Sequence, residues 1–147
     1  MKNIDKNSIS AFCIIAGLIL FITSCKTEKI VPNQEAAKDI TGSWQVVKAS
    51  RNGADITSLV DFTQFKLVFD GTNYTLNNKL PFIVLQNGTY SVDDPQYPFQ
   101  IAFTPAASKK VATAFTYPIV NGVRQLSITF SPGCPNNSYV YTFQKSN

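Results

Sequence analysis

From residue 42 onward the chain alternates apolar and polar positions in short runs, and turn-forming residues interrupt these runs. Turns about every 8–12 residues are typical of antiparallel sandwiches and barrels. One run places Leu126, Ile128 and Phe130 on the same face with polar residues between them, which is the pattern of a strand with one buried side. We predict eight or nine strands, within residues 43–49, 62–69, 74–76, 82–85, 89–92, 99–103, 111–117, 123–130 and 139–143.

The connections between these runs are mostly short. Asp70-Gly71 and Asn121-Gly122 are hairpin signals, because glycine tolerates the positive φ that tight turns need. A short helix or an extra crossing is expected at residues 56–60. Almost no room remains for crossover helices, so a parallel α/β fold is excluded. Consecutive hairpins favour an all-β, up-and-down barrel of about eight strands, whose closure removes exposed strand edges.

The same alternation predicts which large side chains point into the barrel. Besides Leu126, the inward candidates are aromatic: Trp44, Phe65, Phe69, Phe99, Phe103, Phe115 and Phe130. An eight-stranded barrel is just wide enough to be filled by side chains or to hold one small ligand. These aromatics are therefore either the packed core or the contacts of a hydrophobic ligand.

A charged and then apolar segment precedes the strands. Lys2 and Lys6 come first, and residues 9–22 are almost wholly apolar. This run is too short for a bilayer span, which needs about 20 residues, and it is typical of a secretory signal peptide. It ends in Ile22-Thr23-Ser24-Cys25, which resembles the lipobox of bacterial lipoproteins. The resemblance implies cleavage before Cys25, a diacylglycerol on its thiol and anchoring to the bacterial outer membrane. The alternative is a plain signal peptide or a short anchor helix in which Cys25 is incidental.

The segment after Cys25 is predicted to be a spacer. Residues 26–33 are polar and mixed in charge, as in a flexible tether, and Asn33 can cap a short helix through residues 34–38. Some surface-exposed lipoproteins carry an acidic run here, whereas this chain has Lys26 and a single Glu28, which favours the periplasmic face over the cell surface. The expected organisation is a signal peptide at 1–24, a lipidated tether with a short helix at 25–39 and a barrel at 40–147.

Composition argues against an enzyme and against a bound metal or cofactor. The 147 residues include no His and three Cys, which excludes Ser-His-Asp and Cys-His sites and four-thiolate or His-ligated zinc. With Cys13 removed and Cys25 lipidated, Cys134 is left alone, so no internal disulfide is expected. The adjacent pair Asp93-Asp94 precedes a proline and fits a turn better than acid-base chemistry. The net charge of +4 is scattered rather than gathered into a basic stripe, so no nucleic acid is expected as a partner.

The start of the first strand carries a second resemblance. Ile40-Thr41-Gly42-Ser43-Trp44 resembles the Gly-x-Trp opening of lipocalins and other calycins, in which the Trp plugs the closed end of the barrel. With the lipobox and tether, the chain is most similar to lipocalin-like lipoproteins of bacterial envelopes, whose function is uncharacterised. Lipocalins usually end in a helix, whereas this chain ends in a predicted strand. An Arg of a late strand often covers the Trp in lipocalins, so Arg124 either stacks on Trp44 or is a solvated residue beside its hairpin.

These resemblances imply two functions. The first is a lipid-anchored envelope protein whose barrel binds a small hydrophobic or amphipathic ligand. The second is a filled barrel that presents its loops to an envelope protein partner.

Overall fold

A computed structural model describes residues 36–78 and 80–146, and this part of the chain is all-β, as predicted. It contains ten strands: β1 (Gly42–Arg51), β2 (Ala54–Asp55), β3 (Lys66–Asp70), β4 (Asn73–Asn77), β5 (Gly88–Val92), β6 (Gln100–Pro105), β7 (Val111–Thr116), β8 (Ile119–Val120), β9 (Val123–Phe130) and β10 (Tyr139–Lys145). No helix within these two ranges has the length and apolar character needed to cross a bilayer.

Eight of these strands close into an antiparallel up-and-down barrel. Their order is β1-β3-β4-β5-β6-β7-β9-β10, and β10 pairs with both β9 and β1, which completes the circle. The two-residue strands β2 and β8 pair with β1 and β9 respectively and lie outside the circle. The predicted fold class is therefore confirmed.

The two ends of the barrel carry different connections. At the end that we call the N-terminal end lie the start of β1, the β3–β4 turn, the β5–β6 connection (residues 93–99) and the β7–β9 connection (residues 117–122). At the far end lie the end of β1 and the β1–β3 connection (residues 52–65, which include β2), the β4–β5 connection (residues 78–87) and the connection from β9 to β10.

Three predicted elements differ from the observed ones. Residues 56–60 form a single turn, closed by Leu59 N–H on the Ile56 carbonyl, and neither a helix nor a crossing strand. Strand β3 begins at Lys66 instead of residue 62, because the Phe65 N–H bonds to the Phe62 carbonyl in a turn. Residues 82–85 form no strand.

The assignments nearer the N-terminus fall mainly on residues that the structure does not describe. Residues 36–38 are not helical, whereas residues 34 and 35, the signal segment, Cys25 and the tether lie outside the described ranges.

A bulge in β1 keeps both halves of this long strand facing the core. The pairing of β1 with β10 shifts between Val46 and Lys48. Trp44, Val46 and Ala49 are buried, whereas Val47 is exposed. Since side chains alternate with a period of two, the extra residue restores the inward phase that Ala49 would otherwise lose.

Candidate functional site

Most of the side chains predicted to face inward do so. Trp44, Phe65, Phe69, Phe103, Phe115, Leu126 and Phe130 are all buried in the barrel core. This ring of aromatics is joined by Phe62, Tyr74, Phe82, Tyr141 and Phe143, which are also buried.

Phe99 was expected to face inward, and this prediction is wrong, because its side chain is 72% exposed. Strand β6 begins one residue later, at Gln100. The Asp93 carboxylate accepts hydrogen bonds from the N–H groups of Phe99 (3.0 Å) and Gln100 (2.9 Å). Because Phe99 lies in this turn, the alternation of β6 begins only after it, and the Phe99 ring stays outside the core.

Phe82, which lies in the β4–β5 connection, fills the middle of the barrel. It is 2% exposed, and its ring contacts five other aromatic rings from the connection before β3 and from β6, β9 and β10: Phe65, Phe103, Phe130, Tyr141 and Phe143. Sequence patterning marks residues 82–85 as apolar and buried but gives no sign that they fold across the far end of the barrel. A loop therefore supplies the ring that the strands leave room for.

The core offers few polar groups to a ligand. Apart from the Trp44 indole and the hydroxyls of Tyr74 and Tyr141, the buried side chains of the described residues are wholly apolar, and every buried side-chain nitrogen or oxygen has a hydrogen-bond partner. A polar ligand atom placed at the centre would lose its bonds to water without replacement, which costs free energy. A barrel of this kind is compatible with ligand binding, and with Phe82 in place the space for a ligand lies beside the core.

Such a space exists where the barrel wall is split. Strands β4 and β5 pair at only two positions, Asn73↔Thr89 and Tyr74↔Gly88. Beyond them the Leu76 N–H has no strand partner and donates to the side-chain oxygen of Asn87 (2.9 Å) instead. The Asn87 side chain thus supplies the hydrogen-bond acceptor that a neighbouring strand would supply to Leu76. The β4–β5 connection packs against this gap between β4 and β5.

The split holds a cleft of about 300 Å³. Its apolar lining comes from Phe65, Leu76, Leu80, Val84 and Leu85, and its polar lining comes from Asn78, Gln86 and Asn87. Clefts of about 300–1,000 Å³ that combine apolar walls with a few polar groups are the usual form of small-ligand sites. A wider and shallower groove of about 570 Å³ lies over Gly88 and its neighbours, and the exposed residues Asn73, Thr89 and Thr104 are among those that line it.

Tyr74 ties the connection to the sheet beside this cleft. Its hydroxyl donates to the Gln86 carbonyl (2.7 Å). Burial raises the pKa of the Tyr74 phenol to about 12, because a buried phenolate would lose its hydration. At neutral pH Tyr74 is therefore a fixed hydrogen-bond donor that holds one edge of the cleft.

The N-terminal end is closed around Trp44. The indole N–H donates to the Ile40 carbonyl (2.7 Å), and the ring lies edge to face with Tyr117 at 6.3 Å between centroids. Of the two alternatives for Arg124, stacking on Trp44 is not observed. Instead, the Arg124 guanidinium lies 4.5 Å from the centroid of Tyr117 and donates to the Tyr117 carbonyl (2.8 Å). The cation over Trp44 is the Lys145 ammonium, at 5.7 Å.

Three of the aspartates that precede a threonine by two residues accept hydrogen bonds in turns. Asp39, Asp55 and Asp61 each accept the N–H of a threonine, at 2.8–2.9 Å: Thr41, Thr57 and Thr63. Hydrogen bonds from the threonine hydroxyl and then from the N–H hold the pKa of each carboxyl below its ordinary value. This Asp-x-Thr repeat is readable in the sequence, and it assigns these carboxylates to the backbone rather than to chemistry.

The remaining candidates for chemistry also lie apart. Asp94 accepts the N–H groups of Gln96 (2.8 Å) and Tyr97 (3.2 Å), which matches the turn expected at Asp93-Asp94. Cys134 is an exposed free thiol. No group of three or more His, Cys, Asp or Glu within the described ranges is placed to hold a metal ion.

Comparison with known proteins gives a family and no named relative. No curated protein and no solved structure shows a significant match to the chain. A family profile matches residues 23–144, which include Cys25, the segment predicted to be a tether and the barrel as far as Gln144. The chain therefore belongs to the family described as Domain of unknown function (DUF5004).

Proposed function

We propose that this protein is a non-enzymatic lipoprotein of the bacterial envelope, anchored through Cys25, that binds a small amphipathic or hydrophobic ligand in the cleft between β4 and the β4–β5 connection. The observation that carries the ligand assignment is the split wall: a cleft of about 300 Å³ lined by both apolar side chains and amide groups, beside a core that is already filled.

The anchor rests on the sequence. A positive start, an apolar run and Thr23-Ser24-Cys25 follow one another with lipobox spacing. The family match begins at residue 23, so Cys25 falls within the segment shared with the family. The two acyl chains of a diacylglycerol hold a protein on a bilayer stably, whereas a single chain binds only marginally. The scarcity of acidic residues after Cys25 favours the periplasmic face of the outer membrane.

The cleft suggests the form of the ligand. Its apolar body would lie against Phe65, Leu76 and Val84, which remove it from water. A polar end would meet the amides of Asn87 and Gln86. The volume limits the ligand to the lower end of the range for small-molecule sites.

The anchor is tested by Cys25→Ser in the full-length protein, expressed in a bacterial host and followed by membrane fractionation. The variant is expected to leave the membrane fraction and to lack the acyl mass, because the acylated thiol is gone. Cys134→Ser is the matched control and should remain in the membrane with the acyl mass intact. Retention of Cys25→Ser in the membrane would overturn the anchor.

The cleft is tested by native mass spectrometry of the full chain purified from its own host. Leu85 lines the cleft and is largely exposed, so Leu85→Arg should crowd the cleft without disturbing the core. Leu59→Arg is the matched control, since Leu59 is equally exposed and does not line the cleft. We expect a co-purified small molecule in the wild type and in Leu59→Arg and a loss of it in Leu85→Arg. No bound molecule in the wild type, or equal occupancy in all three proteins, would contradict this assignment.

A second function has a specific observation in its favour. Two large leucines, Leu59 and Leu85, are exposed at the far end of the filled barrel, and exposed apolar side chains are common at protein interfaces. The far end would then contact an envelope protein. In that case both Leu59→Arg and Leu85→Arg would reduce cross-linking to the partner, whereas the ligand proposal expects only Leu85→Arg to have an effect.

A further inference from the structure

We propose that the N-terminal end of the barrel is a membrane-contact surface. Its apolar rim, which we define as Tyr97, Phe99, Ile119, Val120 and Val123, inserts into the interfacial layer of the bilayer that holds Cys25. This inference rests on the lipid anchor proposed above and goes beyond it, because an anchor alone leaves the orientation of the barrel open.

The rim is unusually apolar for an exposed surface. Phe99 is 72% and Ile119 is 61% exposed, and the other three members are exposed by 40% or more. All five belong to two connections at the same end of the neighbouring strands β6 and β7: Tyr97 and Phe99 lie in the β5–β6 connection, and Ile119, Val120 and Val123 lie in the hairpin that β8 forms with the start of β9. The Phe115 N–H of β7 bonds to the Phe99 carbonyl (2.9 Å) beside them. Aromatic and aliphatic side chains grouped in this way are suited to the boundary between headgroups and acyl chains.

The first connection is held in shape before any membrane is reached. Asp93 accepts the N–H groups of Phe99 and Gln100, and the Asp93 N–H donates to the Gln100 carbonyl (3.2 Å). The bonds that the carboxylate accepts, with the Gln100 N–H as the largest contributor, lower the pKa of the Asp93 carboxyl, so it remains an ionised acceptor at neutral pH. The loop backbone is therefore ordered before binding, which reduces the conformational entropy lost when Phe99 enters the membrane.

The second connection is a tight hairpin whose turn is flanked by apolar side chains. Asn121 and Gly122 have φ values of 51° and 78°, as in the turn that suits a two-residue hairpin. Val120 pairs with Val123, and Ile119 pairs with Arg124. The Arg124 bond to the Tyr117 carbonyl fixes the base of this hairpin, so that Ile119, Val120 and Val123 project from a rigid support.

The chain that leads to the anchor joins the barrel between these two connections. The Lys38 N–H donates to the Pro95 carbonyl (2.7 Å), and the Tyr117 hydroxyl donates to the Asp39 carbonyl (2.6 Å). Ala36 follows Cys25 by 11 positions, and a random-coil chain of that length has an average end-to-end distance of about 17–20 Å. From this point β1, which has ten residues, extends roughly 30 Å along its own direction towards the far end, at about 3.3 Å per residue. The N-terminal end is therefore the end that the anchor holds near the bilayer.

Charge does not drive this contact. The described part of this end carries cations at Lys38, Arg124 and Lys145 and carboxylates at Asp39, Asp70, Asp93 and Asp94. The two signs nearly balance, so attraction to anionic lipid is not expected to dominate. Burial of the apolar rim in zwitterionic lipid is the driving interaction, and it should depend little on salt.

The test uses the lipidated full-length gene product, extracted from bacterial membranes and reconstituted in phosphatidylcholine vesicles. In a Cys134→Ser background, Ile119→Cys or Leu59→Cys provides one labelling position for an environment-sensitive dye, at the N-terminal end or at the far end. Lipids that carry a nitroxide at the acyl boundary should quench the dye at position 119 several-fold more than the dye at position 59. Adding Phe99→Ser and Val120→Ser to the first protein should reduce that quenching severalfold.

The outcomes separate this inference from the anchor. A protein that carries the acyl mass and binds vesicles, yet shows equal quenching at both positions, overturns the membrane-contact surface and leaves the anchor intact. A protein that lacks the acyl mass contradicts the anchor itself. In detergent without vesicles, a blue-shifted emission of the dye at position 119 together with a higher particle mass would show that the rim binds another protein molecule. That result also overturns the proposal.

Discussion

The ring of Phe82, from the β4–β5 connection, meets the ring of Phe103, from β6, edge to face, with centroids 5.7 Å apart and planes at 76°. This geometry is favourable beyond the burial of area alone. Since Phe82 is the common neighbour of aromatic rings from several parts of the barrel, the packing of the lumen depends on the docking of one irregular loop.

Phe82→Ala should therefore be among the most damaging single changes in the protein. Removing a buried phenylalanine ring costs about 3–5 kcal/mol of unfolding free energy, through lost transfer energy and the cavity that remains. Urea denaturation followed by circular dichroism measures this loss. The variant should also bind small apolar probes that the wild type excludes, because the cavity lies among apolar rings.

The control for this prediction lies three residues away. Leu85→Ala changes an exposed side chain of the same connection and should alter the unfolding free energy by less than about 0.5 kcal/mol. Equal effects of the two changes would show that the connection does not plug the barrel.

Gly88 is expected to tolerate no side chain. A Cβ at this position would lie 2.1 Å from the Thr104 carbonyl oxygen and 2.8 Å from the Pro105 Cα, both in the backbone of β6. Gly88→Ala must therefore push β5 away from β6 and should cost about 1–3 kcal/mol or more, as overpacking does. Thermal unfolding and the near-ultraviolet circular dichroism spectrum would report the damage.

Gly71 provides the contrast. Its φ is +56°, and nothing lies within 4 Å of an added Cβ. Asparagine accepts this left-handed conformation better than other side chains do, so Gly71→Asn should change the unfolding free energy by less than about 1 kcal/mol. If Gly88→Ala lowers the unfolding free energy as little as Gly71→Asn does, β5 and β6 do not approach each other closely at Gly88.

The sequence predicts most of the strands and turns of the barrel and fewer of the side-chain contacts inside it. Period-two alternation identifies strands such as β9 because Leu126, Ile128 and Phe130 all face one buried side. The Asn121-Gly122 turn is equally readable, since positive φ is a local requirement that few residues meet. Closure into a circle follows from consecutive hairpins and is confirmed by the pairing of β1 with β10.

What the sequence does not predict depends on contacts between distant residues. Phe99 continues the alternation of β6, yet the turn at Asp93 removes it from the strand. Phe82 has the local pattern of a strand residue, and only the gap left by the other rings explains its position. Lys145 covers Trp44 because β10 pairs with β1 at Trp44↔Lys145, a register that no local motif encodes.

Trp44→Phe should loosen the closed end of the barrel. The indole N–H bonds to the Ile40 carbonyl, and both residues are buried. Phenylalanine leaves that carbonyl without its partner, a loss of about 1–3 kcal/mol, and frees the segment through Ile40 from β1. Hydrogen exchange of the Lys38 amide, which bonds to Pro95, should become faster in the variant.

Tyr97→Phe is the matched control for Trp44→Phe, because it removes one polar group from an exposed aromatic ring at the same end. The exchange of the Lys38 amide should remain as slow as in the wild type. Fast exchange in both variants, or in neither, would mean that the Trp44 hydrogen bond does not hold the segment.

Two buried tyrosines should make the barrel unstable at high pH. Burial raises the pKa of Tyr74 and of Tyr141 from the ordinary value of 10.0 to about 12, and for Tyr141 the neighbouring Tyr139 adds to the rise. The folded state therefore keeps protons that the unfolded chain loses. The resulting stabilisation is fully present below about pH 10 and is lost as the pH rises towards 12. Unfolding free energies from urea titrations between these limits should fall steadily.

Phenylalanine variants separate this effect from the loss of a hydrogen bond. Tyr141→Phe should flatten the alkaline fall because it removes one of the phenols whose pKa burial raises. Tyr74→Phe should flatten it as well and should also destabilise the protein at neutral pH by about 1 kcal/mol, since the hydroxyl donates to the Gln86 carbonyl. Near-ultraviolet absorbance of the folded wild type should show two phenols that ionise only near pH 12. If neither variant changes the slope, some other group governs alkaline unfolding and the burial of these phenols contributes nothing to it.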